Sequence, residues 1–166
     1  SKLLTFLFVI AALPGILGAQ KRTYTTARIS GEEPVIDGML DDPAWEQVEW
    51  AGDFIQLEPY ENRAPTQQTR FRILCDGNNL YVAIRAFDTA PDSIERRMSR
   101  RDGFAGDWVE INIDSYHDLR TAFSFTVTAA GVKGDEAITR DDYWHDSWDP
   151  IWYVKTAVDD QGWTAE

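Results

Sequence analysis

The chain has 166 residues and a formal net charge of −12 at pH 7, from 28 acidic against 16 basic side chains. That balance excludes nucleic acid and anionic membrane surfaces as natural partners, because both are bound through Lys and Arg. A single cysteine, Cys75, excludes an internal disulfide framework, so a packed core must carry stability, and a domain of this size buries ~70% of its unfolded surface.

Lys2 precedes the apolar run Leu3 to Leu17, which ends in Gly18-Ala19-Gln20. A charged start, a short apolar stretch and a small-residue cut after Ala19 predict a signal peptide over residues 1–19. The run is short for a membrane span, and no cysteine follows it to carry a lipid. The mature chain is therefore expected to leave the cytoplasm. Residues 20–33 form a polar lead-in.

Pro34-Val35-Ile36 predicts a short strand and Asp37-Gly38 a turn. Asp42 then caps a brief helical turn with Pro43 at its first position, which pins Trp45 inward. Trp50 to Leu57 is a further candidate strand, and Glu58 to Gln68, with Pro59 and Pro65, is a loop. From Thr69 to Asp88 the pattern is a hairpin. Phe71, Ile73 and Cys75 alternate with Arg70, Arg72 and Leu74, Asp76-Gly77-Asn78-Asn79 turns, and Leu80, Val82, Ile84 and Ala86 resume the alternation. Both strands read as central, because Leu74, Tyr81 and Phe87 make their second faces partly apolar, and Cys75 reads as a buried small hydrophobe. Ala90 to Arg101 is a connector with one helical turn around Ser93 to Met98.

The stretch Arg100 to Asp114 organises the rest. Val109, Ile111 and Ile113 alternate with Trp108, Glu110, Asn112 and Asp114, the period of a half-buried strand. Gly103 and Gly106 frame Phe104 in a loop beside Asp107. A loop ring next to a strand face bearing Glu110 and Asn112 suits a sugar, with a surface to stack on and groups to bind hydroxyls. The alternative is a hydrophobic plug over the sheet. Ser115 to Arg120 is a polar turn, and the next strand points Phe123, Phe125 and Val127 one way and Ser124, Thr126 and Thr128 the other. Val132 to Ile138 and Ile151 to Val158 are further strands, separated by a loop from Arg140 to Pro150.

Short strands between turn signals, with almost no helical periodicity, predict an all-β fold, an antiparallel β-sandwich of jelly-roll or immunoglobulin-like type. It covers residues 34–166, and the strand begun at Trp163 reads as cut short, so the sandwich is expected to be incomplete at its C-terminal end.

Trp144 and Trp148 in the aromatic loop offer a stacking platform, against which stands the reading that Trp148 and Trp152 cap the core; Trp45 and Trp163 are assigned to the core. Carboxylate pairs such as Asp102 with Asp107, or Asp146 with Asp149, are weak grounds for a glycosidase in so acidic a chain. Oxygen clusters of the Ca2+ type occur at Asp37, Asp41 and Asp42 and at Asp141, Asp142 and Asp146, with solvated loops as the alternative. His117 and His145 lack zinc spacing, and Met39 and Met98 add haem-ligand types that nothing places across one cavity.

Several of these pieces, in order, resemble the family 9 carbohydrate-binding module and its wider group: Pro34-Val35-Ile36-Asp37-Gly38, Asp41-Asp42-Pro43-Ala44-Trp45, Leu80 to Ile84, Asp107 to Asp114, and Gly162-Trp163-Thr164-Ala165-Glu166. Arg100-Arg101-Asp102 and Trp148-Asp149-Pro150-Ile151-Trp152 look closer to a branch found at the N-terminus of large bacterial envelope proteins. The resemblance implies a non-catalytic β-sandwich with calcium-stabilised loops that binds oligosaccharide or polysaccharide ends between two aromatic rings. It implies a C-terminal continuation of the polypeptide, an outer-membrane barrel in that branch or a glycan hydrolase in others. Phe104 matches the first ring and Glu110 the strand carboxylate, whereas Thr126 stands near the position of a sugar-contacting Arg. The candidate site is therefore Phe104, Asp107, Glu110, Asn112, Trp144 and Trp148. The competing expectation is a structural or interaction domain that has lost sugar binding.

Overall fold

The computed structural model describes residues 22–166, so the signal peptide expected over residues 1–19 lies outside the described residues. Among the described residues nine strands run in chain order: β1 Ala27–Arg28, β2 Thr69–Cys75, β3 Leu80–Phe87, β4 Trp108–Ile113, β5 Ala122–Thr128, β6 Lys133–Thr139, β7 Tyr143–His145, β8 Thr156–Asp159 and β9 Gly162–Ala165. They form a five-stranded sheet in the order β1-β2-β3-β9-β8 and a four-stranded sheet in the order β4-β5-β6-β7. The expected all-β sandwich is the observed one. Its ladders are antiparallel except at β1, which joins β2 in parallel through Ala27 opposite Leu74 and Arg28 opposite Cys75. That edge strand arises from the stretch expected to be only a polar lead-in.

The predicted hairpin is β2 and β3, paired from Thr69 opposite Ala86 to Cys75 opposite Leu80. Asp76 closes its turn by accepting the backbone N–H of Asn78 at 2.5 Å and of Asn79 at 2.6 Å. These donors hold the Asp76 carboxyl well below the usual carboxylate range. The Tyr81 hydroxyl donates to the same carboxylate at 2.9 Å, and burial together with that bond pushes it up to about 12.

Two apolar clusters explain why both faces of this hairpin carry hydrophobic residues. Between the sheets lie Ile84, Val127, Ala129, Trp163 and Ala165, flanked by Val82, Val109 and Ile111. On the far side of the five-stranded sheet, Ala44, Trp45 and Val48 cover Leu74 and Ala83. Trp45 has no exposed surface, and its Nε1 donates to Glu166 Oε1 at 2.8 Å. Glu166 also accepts the N–H groups of Asp37 and Gly38 at 3.1 Å, but burial outweighs these donors and raises its carboxyl.

Local expectations fail where tertiary contacts decide. Pro34 to Ile36 joins no ladder, and Asp42 uses its carboxylate on the Val35 N–H at 3.1 Å instead of capping the 3-10 turn Pro43–Gln47. Trp50 to Leu57 is reduced to single bridges at Ala51 and Gln56, because Asp53 adopts a φ of 58° that breaks an extended run. The helical turn of the connector falls at Pro91–Ser93, earlier than expected. Of Ile151 to Val158 only β8 is laddered, since the Trp152 region is tied down by side chains: Lys133 donates to its carbonyl at 2.9 Å and its Nε1 donates to Asp135 at 3.1 Å. Cys75 is only half-buried, its Sγ lying 3.6 Å from the Ala27 carbonyl across the β1 edge.

Candidate functional site

Register builds a polar face on the side of the four-stranded sheet turned away from the core. Glu110 lies opposite Thr126 and Asn112 opposite Ser124 across β4 and β5; Thr126 lies opposite Gly134 and Ser124 opposite Glu136 across β5 and β6. Directly paired residues share a face. One face therefore carries Glu110, Asn112, Ser124, Thr126 and Glu136, with Ser124 and Thr126 buried within it, while Val109, Ile111, Phe125 and Val127 point toward the space between the sheets.

Phe104 reaches this face because its loop rides along β6. The Asp102 N–H donates to the Lys133 carbonyl at 3.0 Å, and the Asp135 N–H donates to Asp102 Oδ1 at 3.1 Å. These bonds occupy an edge that β7 leaves open, since β7 pairs only with Ala137 to Thr139. The Phe104 ring then presses on Gly134, where a Cβ would stand 2.4 Å from its Cε1, so only glycine admits the ring. Gly106, at a φ of +87°, lets the loop pass so close to Glu95 that a Cβ would lie 2.1 Å from its carbonyl oxygen.

Phe104 and Trp108 lie with ring centroids 5.9 Å apart, 44% and 48% exposed. At the other end Trp144, 46% exposed, stands opposite Ile138 and hence on the same face. Gly134 and Ile138 are four positions apart on β6, roughly 13 Å along the strand. The polar stripe thus lies between aromatic rings at both ends.

Within the stripe, Asn112 Nδ2 donates to Glu110 Oε1 at 2.5 Å and Thr126 Oγ1 donates to Glu110 Oε2 at 3.4 Å. The Ser124 hydroxyl, on a residue with no exposed surface, has no hydrogen-bond partner. Glu136 is raised from its ordinary value, first by burial and then by the charges of Glu110, Asp146 and Asp102.

Four of the six residues expected at the site, Phe104, Glu110, Asn112 and Trp144, are brought together on this face. Asp107 is exposed beside it, but its carboxylate accepts the Glu95 N–H at 2.8 Å and fastens the connector. Trp148 is elsewhere. Its ring centroid lies 4.6 Å from Phe123 and 5.5 Å from Phe125, on the core side of the sheet, with Trp152 5.4 Å from Phe125. Core capping is what Trp148 and Trp152 do. Trp108, Ser124 and Glu136 lie on this face although they are not among the residues expected there, and Thr126 joins them; the alternation of Trp108 with Glu110 is a signal in the sequence, whereas Glu136 depends on the register of β6.

The carboxylates expected to hold calcium are not gathered among the described residues. Among the described residues no group of three or more His, Cys, Asp or Glu side chains is placed to share a metal, so Asp37, Asp41 and Asp42 are not gathered into one site. Asp37 instead accepts the Met39 N–H at 2.8 Å, Asp42 accepts the Val35 N–H, and Asp141 lies 3.6 Å from Arg120. Haem fits no better, because Met39, Met98, His117 and His145 are absent from the walls of the cavity between the sheets. That cavity, about 540 Å³, is lined mainly by core-facing residues such as Val82, Ile111, Phe125 and Trp152. It offers few polar groups to orient a hydroxylated ligand.

Two packed sheets with a ring-flanked polar face define a β-sandwich binding module. A family model described as carbohydrate family 9 binding domain-like matches residues 36–166, and the chain belongs to that family. Among solved structures it is similar to a family 9 carbohydrate-binding module from Caldicellulosiruptor kristjanssonii in complex with glucose, at 22% identity and a TM-score of 0.55, covering 85% of this chain and 66% of that one. The same module in complex with cellotriose matches at 22% identity and a TM-score of 0.57, covering 85% of this chain and 65% of that one. The chain thus spans just under two thirds of the length of those structures. No curated protein matches it.

Proposed function

We propose that the outer face of the four-stranded sheet binds carbohydrate without catalysis, taking the end of an oligosaccharide or polysaccharide. The carrying observation is the Glu110–Asn112 pair, bonded at 2.5 Å and set between exposed Phe104 and Trp108 on one side and Trp144 on the other. Exposed rings present flat apolar surface to the C–H face of a sugar, and the carboxylate and amide accept from and donate to its hydroxyls. Family membership supports the reading, as do the glucose and cellotriose in the two structures of the related module. On this reading the chain is exported, as its leader sequence suggests, and serves a larger envelope protein or glycan-degrading enzyme.

The test is titration with cellotriose while following tryptophan fluorescence, in the wild type and in Phe104→Ala and Trp108→Ala. A saturable change that either substitution abolishes is expected. The competing reading, a structural or interaction domain, draws on the apolar cleft between the sheets. It prevails if no glycan produces a saturable change.

A further inference from the structure

We propose that the sugar preferred by this face carries a free ammonium group, as a β-1,4-linked glucosamine oligomer does. The inference rests on the outer face being the carbohydrate site. It starts from the charges there. Glu110 and Glu136 flank β5 on one surface, and no outward position of β4, β5, β6 or β7 is Lys or Arg. Three nearby cations turn elsewhere: Arg101 bonds Asp135 at 2.6 Å, Lys133 donates to the Trp152 carbonyl, and Arg120 lies 3.6 Å from Asp141.

The hydrogen-bonding inventory points the same way. Asn112 and Thr126 serve Glu110, whereas Glu136 feels only burial and the repulsion of Glu110, Asp146 and Asp102. Between Asn112 and Glu136 in the register lies Ser124, fully buried with its hydroxyl unpartnered. This surface thus carries two carboxylates and no cation, and its donors are the Asn112 amide and the hydroxyls of Thr126 and Ser124. A hydroxyl brings it one donor, but an ammonium brings three and a compensating charge, and its bonds to carboxylates are the stronger kind. A bare metal ion does not meet the need, since no three carboxylates here converge. Ser124 has no open surface, so the ligand reaches it only when a neighbouring side chain swings aside.

Calorimetric titration of the whole chain with the glucosamine trimer, its N-acetylated form and cellotriose tests the proposal. The glucosamine trimer is expected to bind roughly tenfold more tightly than cellotriose at low ionic strength, with the gap closing as salt is added. Glu136→Gln should narrow that gap, and Glu110→Gln serves if the first variant does not fold. Equal affinity for all three sugars, lost in Trp108→Ala, would keep the carbohydrate site and overturn the ammonium preference. So would a preference for glucosamine that neither Gln variant changes. Binding of none of the three overturns the site itself.

Discussion

Arg101 reaches Asp135 at 2.6 Å on the core side of the four-stranded sheet, while Phe104, three residues on, presses on Gly134 from the opposite side. The loop therefore grips β6 from both faces. Asp135 is 1% exposed, and its other oxygen already lacks a partner, so removing the cation strands a buried charge. Arg101→Met is expected to destabilise the fold by about 3 kcal/mol, at the low end for a buried pair because Arg101 is 35% exposed. Denaturant melts measure this, and a variant as stable as the wild type contradicts it.

Gly134→Ala probes the ring from below. The new methyl group would stand 2.4 Å from Phe104 Cε1, and the ring, on a surface loop, gives way before the strand does. Stability should fall by only about 1 kcal/mol. Cellotriose affinity should fall several-fold; unchanged affinity would mean that Phe104 does not contact the ligand.

Trp108 and Trp148 should respond in opposite ways. Trp148 packs on Phe123 and Phe125, so Trp148→Ala is expected to lower stability by about 3 kcal/mol and leave sugar affinity alone. Trp108 is 48% exposed, and its replacement by Ala should remove binding with little loss of stability. Loss of affinity in folded Trp148→Ala would return that ring to the site.

Acidity supplies a further check through Glu136. Burial and neighbouring carboxylates raise its carboxyl above the ordinary 4.5, so the folded chain keeps this proton at a pH where the unfolded chain has released it. The resulting stabilisation is complete below the ordinary value and is lost as pH rises through the raised one. Relative to Glu136→Gln, the wild type should therefore gain stability on acidification through that window. Asp118 and Asp159, whose carboxyls are lowered, act in the opposite sense in both proteins and cancel in the comparison. Parallel unfolding curves at every pH would show that Glu136 titrates as it does in the unfolded chain.

Ser124→Ala separates the unpartnered hydroxyl from its neighbours. Deleting a buried group without a partner should leave stability unchanged or raise it by about 1 kcal/mol, while glucosamine binding weakens. A marked loss of stability would show that the hydroxyl is satisfied inside the fold.

Much of the sandwich is legible in the sequence alone. The hairpin of β2 and β3, the core face of β4 and the inward Trp45 and Trp163 follow from alternation and turn chemistry, which act over a few residues. Glu110 and Asn112 were found the same way, since they lie on the polar phase of a strand whose other phase is apolar. Trp144 and Trp148, four positions apart in one aromatic loop, could not be told apart by any local rule.

Alternation along each strand, readable from neighbouring residues alone, determined an all-β chain with one polar face near Glu110. Only the tertiary structure decided which residues share that face: β6 brings Glu136 beside Ser124, β7 turns Trp144 outward, and Phe123 and Phe125 draw Trp148 to the other side. Period-2 patterning assigns a side chain to one of two surfaces within its own strand. Which strands lie side by side, and in what register, depends on contacts between residues far apart in the chain.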